Sequence, residues 1–331
     1  MSSQQVLILT AQEVQSLLTI DECIEVVELA FRLYGEHKTA PPSVLGVHTP
    51  GGGFHIKAGV LELSKPYFAA KVNGNFPNNW TQFGLPTIQG VLVLCDAQCG
   101  SPLAVMDSRD ITSLRTGAAT AVAAKFLARN DSRVVTICGC GVQGCIQLKA
   151  LSRVCHLQSV FAYDKSGPQA LSFAKDLTEE LATPVTVASD LSNAVKKSDI
   201  CVTCTTSRKP LLGLEDVAPG TFVAAVGADN PEKQELQPEL IAKSKVVVDV
   251  LEQCAVMGDL HHALDVGAIT LADIHAELGE VVAGRKPGRV TDREIIIFDS
   301  TGMALQDVAA AAAVYEKATR LGVGLQLGLA A

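Results

Sequence analysis

The run Val134-Val135-Thr136-Ile137-Cys138-Gly139-Cys140-Gly141-Val142-Gln143-Gly144 carries an apolar β segment directly into a glycine turn, and Asp164 stands 20 residues past Gly144. A G-x-G-x-x-G spacing alone is a weak signal. Here it follows a strand, opens a helical pattern over 142–154, and is followed by a second strand, 159–163, that ends just before the acid. Each part then has a physical task. Gly139 makes the tight turn, Gly141 lets the backbone approach a pyrophosphate, and Gly144 lets helix and sheet pack closely. The helix start at Val142 and Gln143 presents free N–H groups to the phosphates. Asp164 is positioned to accept hydrogen bonds from ribose hydroxyls and would repel a 2′-phosphate, so NAD(H) is favoured. Lys165 and Ser166 beside it soften that preference and keep NADP(H) as the alternative.

Downstream, apolar strand-like segments at 200–203, 221–226, 245–249 and 295–298 continue an alternation with helical stretches such as 170–181. Strands alternating with helices imply a parallel, doubly wound sheet. Upstream, a small-residue-rich helix over 111–128 ends at Arg129-Asn130-Asp131-Ser132, a turn signal and a domain boundary. Before it the chain has helical periodicity over 14–34, with Thr19-Ile20-Asp21 marking a helix start, then a Pro- and Gly-rich break over 40–53. Short strand-like runs at 54–58, 67–72, 89–95 and 103–106 suggest an antiparallel or mixed sheet. The last helix, 303–321, is long enough to leave the second domain and pack on the first. The expected fold class is therefore α/β: a Rossmann-type doubly wound parallel sheet over 129–303 plus a second α+β domain from 1–128 with 304–331.

At 331 residues the chain exceeds one ordinary core and suits two domains. Its 48% hydrophobic and 19% charged content describes a packed globular protein. The net charge of −8, with no long Lys/Arg run, argues against a nucleic-acid partner, which needs a concentrated cationic face. Met1-Ser2-Ser3-Gln4-Gln5 lacks the features of a signal peptide, and the alanine run 309–313 shares a helical pattern with Asp307 and Tyr315. The expectation is a cytoplasmic protein with no membrane span. Of the cysteines, Cys138, Cys140 and Cys145 flank the glycine turn, while Cys201 and Cys204 in one strand-like run send their side chains to opposite faces. They read as small core hydrophobes, with no metal centre.

Hydride chemistry needs an anchored substrate and a group that manages protons, and both must come from outside the glycine turn. Lys57, Lys71 and Arg115 each sit in apolar or small-residue runs, where a cation is costly unless it meets an anion. A single such lysine reads as a snorkelling side chain; three beside a dinucleotide fold point to a carboxylate pocket. Asp229, in Ala225-Val226-Gly227-Ala228-Asp229-Asn230-Pro231, follows an apolar strand and is a candidate proton-handling acid, although Asp before Asn-Pro also forms turns. His261-His262 are adjacent helix positions that do not face one another, and read as surface or packing residues.

Lys71 with Asn73, Gly84-Leu85-Pro86-Thr87, Leu114-Arg115-Thr116-Gly117-Ala118-Ala119 and the glycine loop form the first half of an ordered set of motifs. Val226-Gly227-Ala228-Asp229, Ala276-Glu277-Leu278-Gly279-Glu280 and Phe298-Asp299-Ser300-Thr301-Gly302 complete it. Over nearly the whole chain this resembles the ornithine cyclodeaminase/mu-crystallin family. The resemblance implies a homodimer whose first domain, completed by the C-terminal helix, binds substrate and forms the subunit interface. It also implies NAD(P)(H) in the central domain, and ornithine cyclodeaminase, alanine dehydrogenase or cyclic ketimine reductase activity. Carried over by motif, Lys71 is the active-site lysine, Arg115 the carboxylate-binding arginine, Thr87 a further substrate contact, and Asp229 the acid that works on the amino group. Thr116, Thr205, Val226, Lys233 and Ser300 would lie near the cofactor.

The chain departs from the family pattern in two places. Ser43 stands where an arginine is common, and Lys57 where methionine is usual, so Lys57 is expected to take over the lost grip on the carboxylate. His55 aligns with the glutamate that cyclodeaminases use for the distal amine, and an imidazole is a poor partner for an ammonium. The favoured expectation is an NAD(P)H-dependent reductase of a small cyclic imino acid, or the equivalent amino-acid dehydrogenase. Ornithine cyclodeamination with catalytic NAD is the alternative, and a cofactor-retaining, non-enzymatic binding protein the third reading.

Overall fold

The periodicity over 14–34 belongs to two helices, because Thr19 starts the chain afresh. In the computed structural model, which describes residues 5–328, α1 runs Ala11–Leu17 and α2 runs Ile20–Gly35. Both begin in capping boxes. The hydroxyls of Thr10 and Thr19 accept the N–H groups of Glu13 and Glu22, whose carboxylates accept the Thr10 and Thr19 N–H groups at 2.8 and 2.9 Å. Their apolar stripe, including Val14, Leu17, Ile24, Val27 and Phe31, is buried.

Contacts divide the chain into two units, Met1–Arg115 with Met303–Ala331 and Thr116–Gly302. The first contains a seven-stranded sheet of β1 (Gln5–Leu9), β2 (Ser43–Thr49), β3 (Gly52–Glu62), β4 (Pro66–Asn75), β5 (Ile88–Asp96), β6 (Pro102–Asp107) and the C-terminal β17 (Leu325–Gly328). Its order is β17-β1-β6-β5-β4-β3-β2, antiparallel except between β1 and β6. A short helix, α3 (Asn79–Phe83), lies between β4 and β5. The last helix, α12 (Ala304–Leu321), packs on α2, β3 and β4. Gly59 permits its close approach: a Cβ there would lie 2.8 Å from Leu305 Cδ2. The sheet alternates as a pleat requires. Lys57, Leu61, Ala69, Lys71, Leu92 and Leu94 are buried on the α12 side, while Leu45, Val47, Phe54, Val60 and Val91 are exposed on the other.

The expected break over 40–53 is in fact strand β2 and a hairpin. Pro50 and Gly51 make its two-residue turn, with Gly51 at φ +87°, and Ser43 to Thr49 pair with Ala58 to Gly52. The prolines and glycines bracket an edge strand whose apolar residues face outward, so its composition reads as loop.

Helix α4 (Arg109–Leu127) contains the division between the units. The second unit then runs β7 (Val134–Cys138), α5 (Val142–Val154), β8 (Ser159–Tyr163), α6 (Gly167–Leu181), β9 (Val185–Val187), α7 (Leu191–Lys196), β10 (Ile200–Thr203), β11 (Arg208–Leu212) and β12 (Phe222–Ala225). It continues with β13 (Gln234–Leu236), α8 (Pro238–Ala242), β14 (Lys245–Val248), α9 (Leu251–Met257), α10 (Asp259–Asp265), β15 (Ala276–Glu277), α11 (Leu278–Val282) and β16 (Ile296–Asp299). Eight strands form one sheet in the order β15-β14-β16-β12-β10-β7-β8-β9, parallel throughout. This is the expected doubly wound α/β sheet. The first strand, β7, lies between β8 and β10, so the chain winds away from it in both directions, and ligands of open α/β sheets bind at the carboxyl ends beside such a switch point. Strands β10, β12 and β16 are buried along their whole length, which is why they read as unbroken apolar runs. Strands β11 and β13 form a separate parallel pair that the sequence pattern did not reveal.

Candidate active site

The glycine loop between β7 and α5 has the geometry a dinucleotide requires. Gly139 takes φ +106°, and a Cβ there would stand 2.9 Å from the Cys204 carbonyl oxygen. A Cβ on Gly144 would lie 2.1 Å from the Gly139 carbonyl oxygen, so turn and helix meet only through glycine. Around the Cβ position of Gly141 nothing lies within 4 Å, and this residue caps α5 without a side-chain hydrogen bond. An approaching phosphate therefore meets bare backbone at the positive end of a helix. Gln143 Nε2, at the start of the same helix, is buried without a hydrogen-bond partner. Asp164 Oδ2 accepts the Cys140 N–H and Oδ1 the Ser166 N–H, both at 2.8 Å, which fixes the carboxylate and leaves lone pairs for ribose hydroxyls.

A cavity of about 320 Å³ opens here, lined in part by Gly139, Gly141, Tyr163, Asp164, Lys165 and Thr205. Val142, Gln143, Thr116, Val226, Lys233 and Ser300 do not line it. Ser300 instead donates its hydroxyl to the buried Asp249 (2.8 Å). Thr116 lies in α4 one residue past Arg115, and Val226 follows β12, its N–H bonded to the Thr203 carbonyl. Asp229 is about half exposed and pairs with Lys233 (Oδ1 to Nζ, 2.6 Å). The rings of His261 and His262 do meet on α10, with centroids 4.0 Å apart, contrary to the expectation for adjacent helix positions. His262 Nε2 lies 2.8 Å from the Lys233 carbonyl oxygen and His261 Nε2 3.3 Å from Asp265, so both serve local structure.

In the first unit, β3 and β4 set Lys57 directly opposite Lys71 on the face toward α12. Lys71 Nζ donates to Asp307 Oδ1 at 2.8 Å, Arg115 Nε stands 3.2 Å from the same oxygen, and Arg115 Nη1 donates to Gln306 Oε1 at 3.0 Å. Lys57, Lys71, Arg115 and Asp307 are 8%, 3%, 6% and 2% exposed, so three cations and an acid are buried together. Burial pushes Lys71 down to about 7; Asp307 opposes the shift, while Arg115 and Lys57 add to it. Burial alone would raise the Asp307 carboxyl, but Lys71, Arg115 and Lys57 hold it below its ordinary value. Asp307 Oδ2 and Gln306 Nε2 are buried with no hydrogen-bond partner, an acceptor and a donor left over beside the cations. Asn73 Oδ1 accepts the Ser108 hydroxyl (2.6 Å), tying β4 to the segment that leads into α4. Thr87 lies exposed before β5, its carbonyl accepting the Phe76 N–H.

Asp307 and Gln306 escaped the sequence reading. Their signal was present, however: one acid within the buried run Ala304-Leu305-Gln306-Asp307-Val308 invites the same argument as a lysine in an apolar strand. The register also bears on the expected exchange between positions 43 and 57. Ser43 pairs with Ala58 and Val44 with Lys57, so a side chain at 43 leaves the face that carries Lys57. Position 43 and Lys57 thus start from opposite faces of the sheet. It belongs to the cluster in its own right. His55 shares the Lys57 face, two residues along β3 and paired with Asn73.

The pattern of the ornithine cyclodeaminase/mu-crystallin family matches residues 4–321. The chain belongs to this family. Among the family's proteins, the alanine dehydrogenase of Archaeoglobus fulgidus is 43% identical over 326 residues, covering 98% of each chain. A solved archaeal alanine dehydrogenase dimer with bound NAD superposes with a TM-score of 0.93 at 43% identity, covering 98% of this chain and all of that one (100%). The Delta(1)-pyrroline-2-carboxylate reductase of Thermococcus litoralis, solved with NADH and L-proline, gives 0.92 at 35% identity, covering 97% of this chain and 100% of that one. Among the described residues no helix is long and apolar enough to cross a membrane.

Proposed function

We propose that this chain is an NAD(H)-dependent oxidoreductase that interconverts a small 2-imino acid and the corresponding 2-amino acid. A cyclic imine of the pyrroline- or piperideine-2-carboxylate type is the first-choice substrate, and NADP(H) is the second-choice cofactor. One observation carries the reading: buried Lys71 and Arg115 share the Asp307 carboxylate, Lys57 stands opposite Lys71, and a donor on Gln306 and an acceptor on Asp307 are left over. A small carboxylate ligand supplies the missing negative charge, and its nitrogen supplies donors for Asp307 Oδ2. Relatives that act on alanine and on pyrroline-2-carboxylate, or hold NAD and L-proline, support the same class.

When bound, the nicotinamide supplies a hydride equivalent to the imine carbon, or removes one from the amine. Arg115, oriented by Gln306 and Asp307, grips the carboxylate together with Lys57. Lys71, held by Asp307 and brought near neutrality by burial, donates the proton that the imine nitrogen needs and takes it back in the amine direction. Asp229, anchored by Lys233, is the second candidate for that proton. His55, where a cyclodeaminase needs an acid for the distal amine, favours the reductase over ornithine cyclodeamination.

We further infer a homodimer formed through the exposed apolar sheet face of Leu45, Val47, Phe54, Val60 and Val91, since monomers rarely leave such a face to solvent. The deciding experiment assays pyrroline-2-carboxylate, piperideine-2-carboxylate, pyruvate with ammonia, and ornithine against NADH, NADPH and NAD. Steady NADH consumption with a cyclic imine is the expected result. Ammonia from ornithine without net NADH change would identify a cyclodeaminase, and tight dinucleotide binding without any turnover would identify a binding protein.

A further inference from the structure

Glu235, Asp249, Asp259 and Asp299 lie buried in the second unit, and the reaction proposed above uses none of them. Glu235 stands out because its partners belong to two different loops at the carboxyl edge of the parallel sheet. Its Oε1 accepts both the N–H and the hydroxyl of Thr205 at 2.6 Å, and its Oε2 accepts the Gly227 N–H at 3.0 Å. Thr205 lines the dinucleotide cavity after β10. Gly227 opens the turn after β12 that carries Asp229, and a Cβ on it would lie 2.5 Å from Glu235 Oε2. Asp259 Oδ1 in turn accepts the N–H groups of Glu235 and Leu236 at 2.7 and 2.8 Å, which fixes the backbone from which the glutamate reaches.

We propose that Glu235 is a positioning residue for the dinucleotide: its carboxylate ties the Thr205 wall of the cavity to the Gly227 turn, and cofactor affinity depends on that tie. The proposal rests on the cofactor reading above. All three partners are donors, which suits an ionised carboxylate; protonation of Glu235 adds an O–H among them and removes the charge that strengthens these bonds, which loosens the tie. The tie is titratable near neutrality, because burial, with Asp259 adding to it, pushes Glu235 up to about 7. Asp259, on α10, is itself raised to about 6 by burial. The other titratable groups facing Glu235 are the thiols of Cys138 on β7 and of Cys201 and Cys204 on and after β10, all pushed upward by burial. These thiols stay neutral across the range in which Glu235 titrates. Protonation sets in as pH falls through about 7, so dinucleotide affinity declines in that direction.

The test is the NADH dissociation constant of the full chain, measured by fluorescence without substrate from about pH 6 to about pH 9, with folding checked by circular dichroism. Wild type should weaken toward low pH. Glu235→Gln should bind about tenfold more weakly at the alkaline end, the worth of one charge-assisted hydrogen bond, and lose the pH dependence. Asp259→Asn, which removes the like charge, should keep the dependence and move its midpoint to lower pH. Wild-type affinity and pH dependence in Glu235→Gln would overturn the proposal. Should that variant not fold, an unmoved midpoint in Asp259→Asn overturns it and a lowered one supports it. A wild type that binds neither NADH nor NADPH at any pH removes the cofactor reading itself, and this proposal with it.

Discussion

In the first unit Lys71 and Arg115 converge on one carboxylate, Asp307, with Lys57 opposite Lys71; in the second, the hydrogen-bond partners of Glu235, Asp249, Asp259 and Asp299 are backbone N–H groups, hydroxyls and a thiol. Both clusters are buried but closed by different groups, and in the second Asp259 Oδ2 is the carboxylate oxygen without a hydrogen-bond partner. Four N–H groups or hydroxyls close on Asp249 alone, from Val250, Ser300, Thr301 and Gly302. Fixed dipoles of this kind satisfy a carboxylate without a counter-ion and hold the loops that carry them. In the cation cluster two cations share one carboxylate, and Asp307 and Gln306 carry unpartnered atoms, which is costly in a folded protein unless a ligand completes it. A buried charge that lacks its complement marks where a small anion belongs; one closed by dipoles marks where the scaffold must not move.

The contrast is most exposed at Lys71. Replacing it, Lys71→Ala, should lower turnover roughly a hundred- to ten-thousandfold, the range for a lost general acid, while the NADH dissociation constant stays nearly unchanged. Loss of NADH binding in step with turnover would remove Lys71 from the catalytic role. Next in size is Asp307→Ala, which removes the carboxylate that buried Lys71 and Arg115 share and should cost about 3–5 kcal/mol in chemical denaturation. Recovery of part of that loss by a saturating amino-acid ligand would confirm that the ligand carboxylate takes the place of the missing charge.

A third measurement follows the pH profile of kcat/KM. Imine reduction needs the protonated lysine, so it should fall as pH rises through about 7, and amine oxidation should rise over the same range. Since Asp307 holds the Lys71 proton on, Asp307→Asn should move both profiles to lower pH; an unmoved profile would transfer the titration to another group. The smallest effect belongs to Lys233→Met. Its partner Asp229 is about half exposed, so stability should change by less than about 1 kcal/mol, and a larger loss would show that the pair is buried in the working enzyme.

Much of this arrangement was legible in one dimension, for reasons specific to each part. The glycine loop is local: strand, turn, helix start and acid lie within 31 residues, from Val134 to Asp164; Gly139 and Gly144 answer clashes that the structure displays, and Gly141 leaves its Cβ position open. Lys57, Lys71 and Arg115 stood out because a cation in an apolar run is anomalous wherever the chain leads. Asp307, 236 residues from Lys71, was no less anomalous, but the alanines that follow it continue a helical pattern in which one acid passes for a solvent-facing position. Strand β2 was hidden by prolines and glycines that punctuate its ends, and β9, β13 and β15 are too short for any period to register.

The sequence by itself determined that the chain has a dinucleotide loop, three misplaced cations and an acid after a strand, because these depend on spacing and on the cost of charge in apolar surroundings. Only the tertiary structure decided which charges meet. Antiparallel register set Lys57 against Lys71 and turned position 43 to the opposite face, and the return of α12 brought Asp307 to Lys71 and Arg115. Glu235, invisible in the motif, joins the Thr205 wall to the Gly227 turn, because loops remote in sequence share one sheet edge where a single carboxylate can reach both.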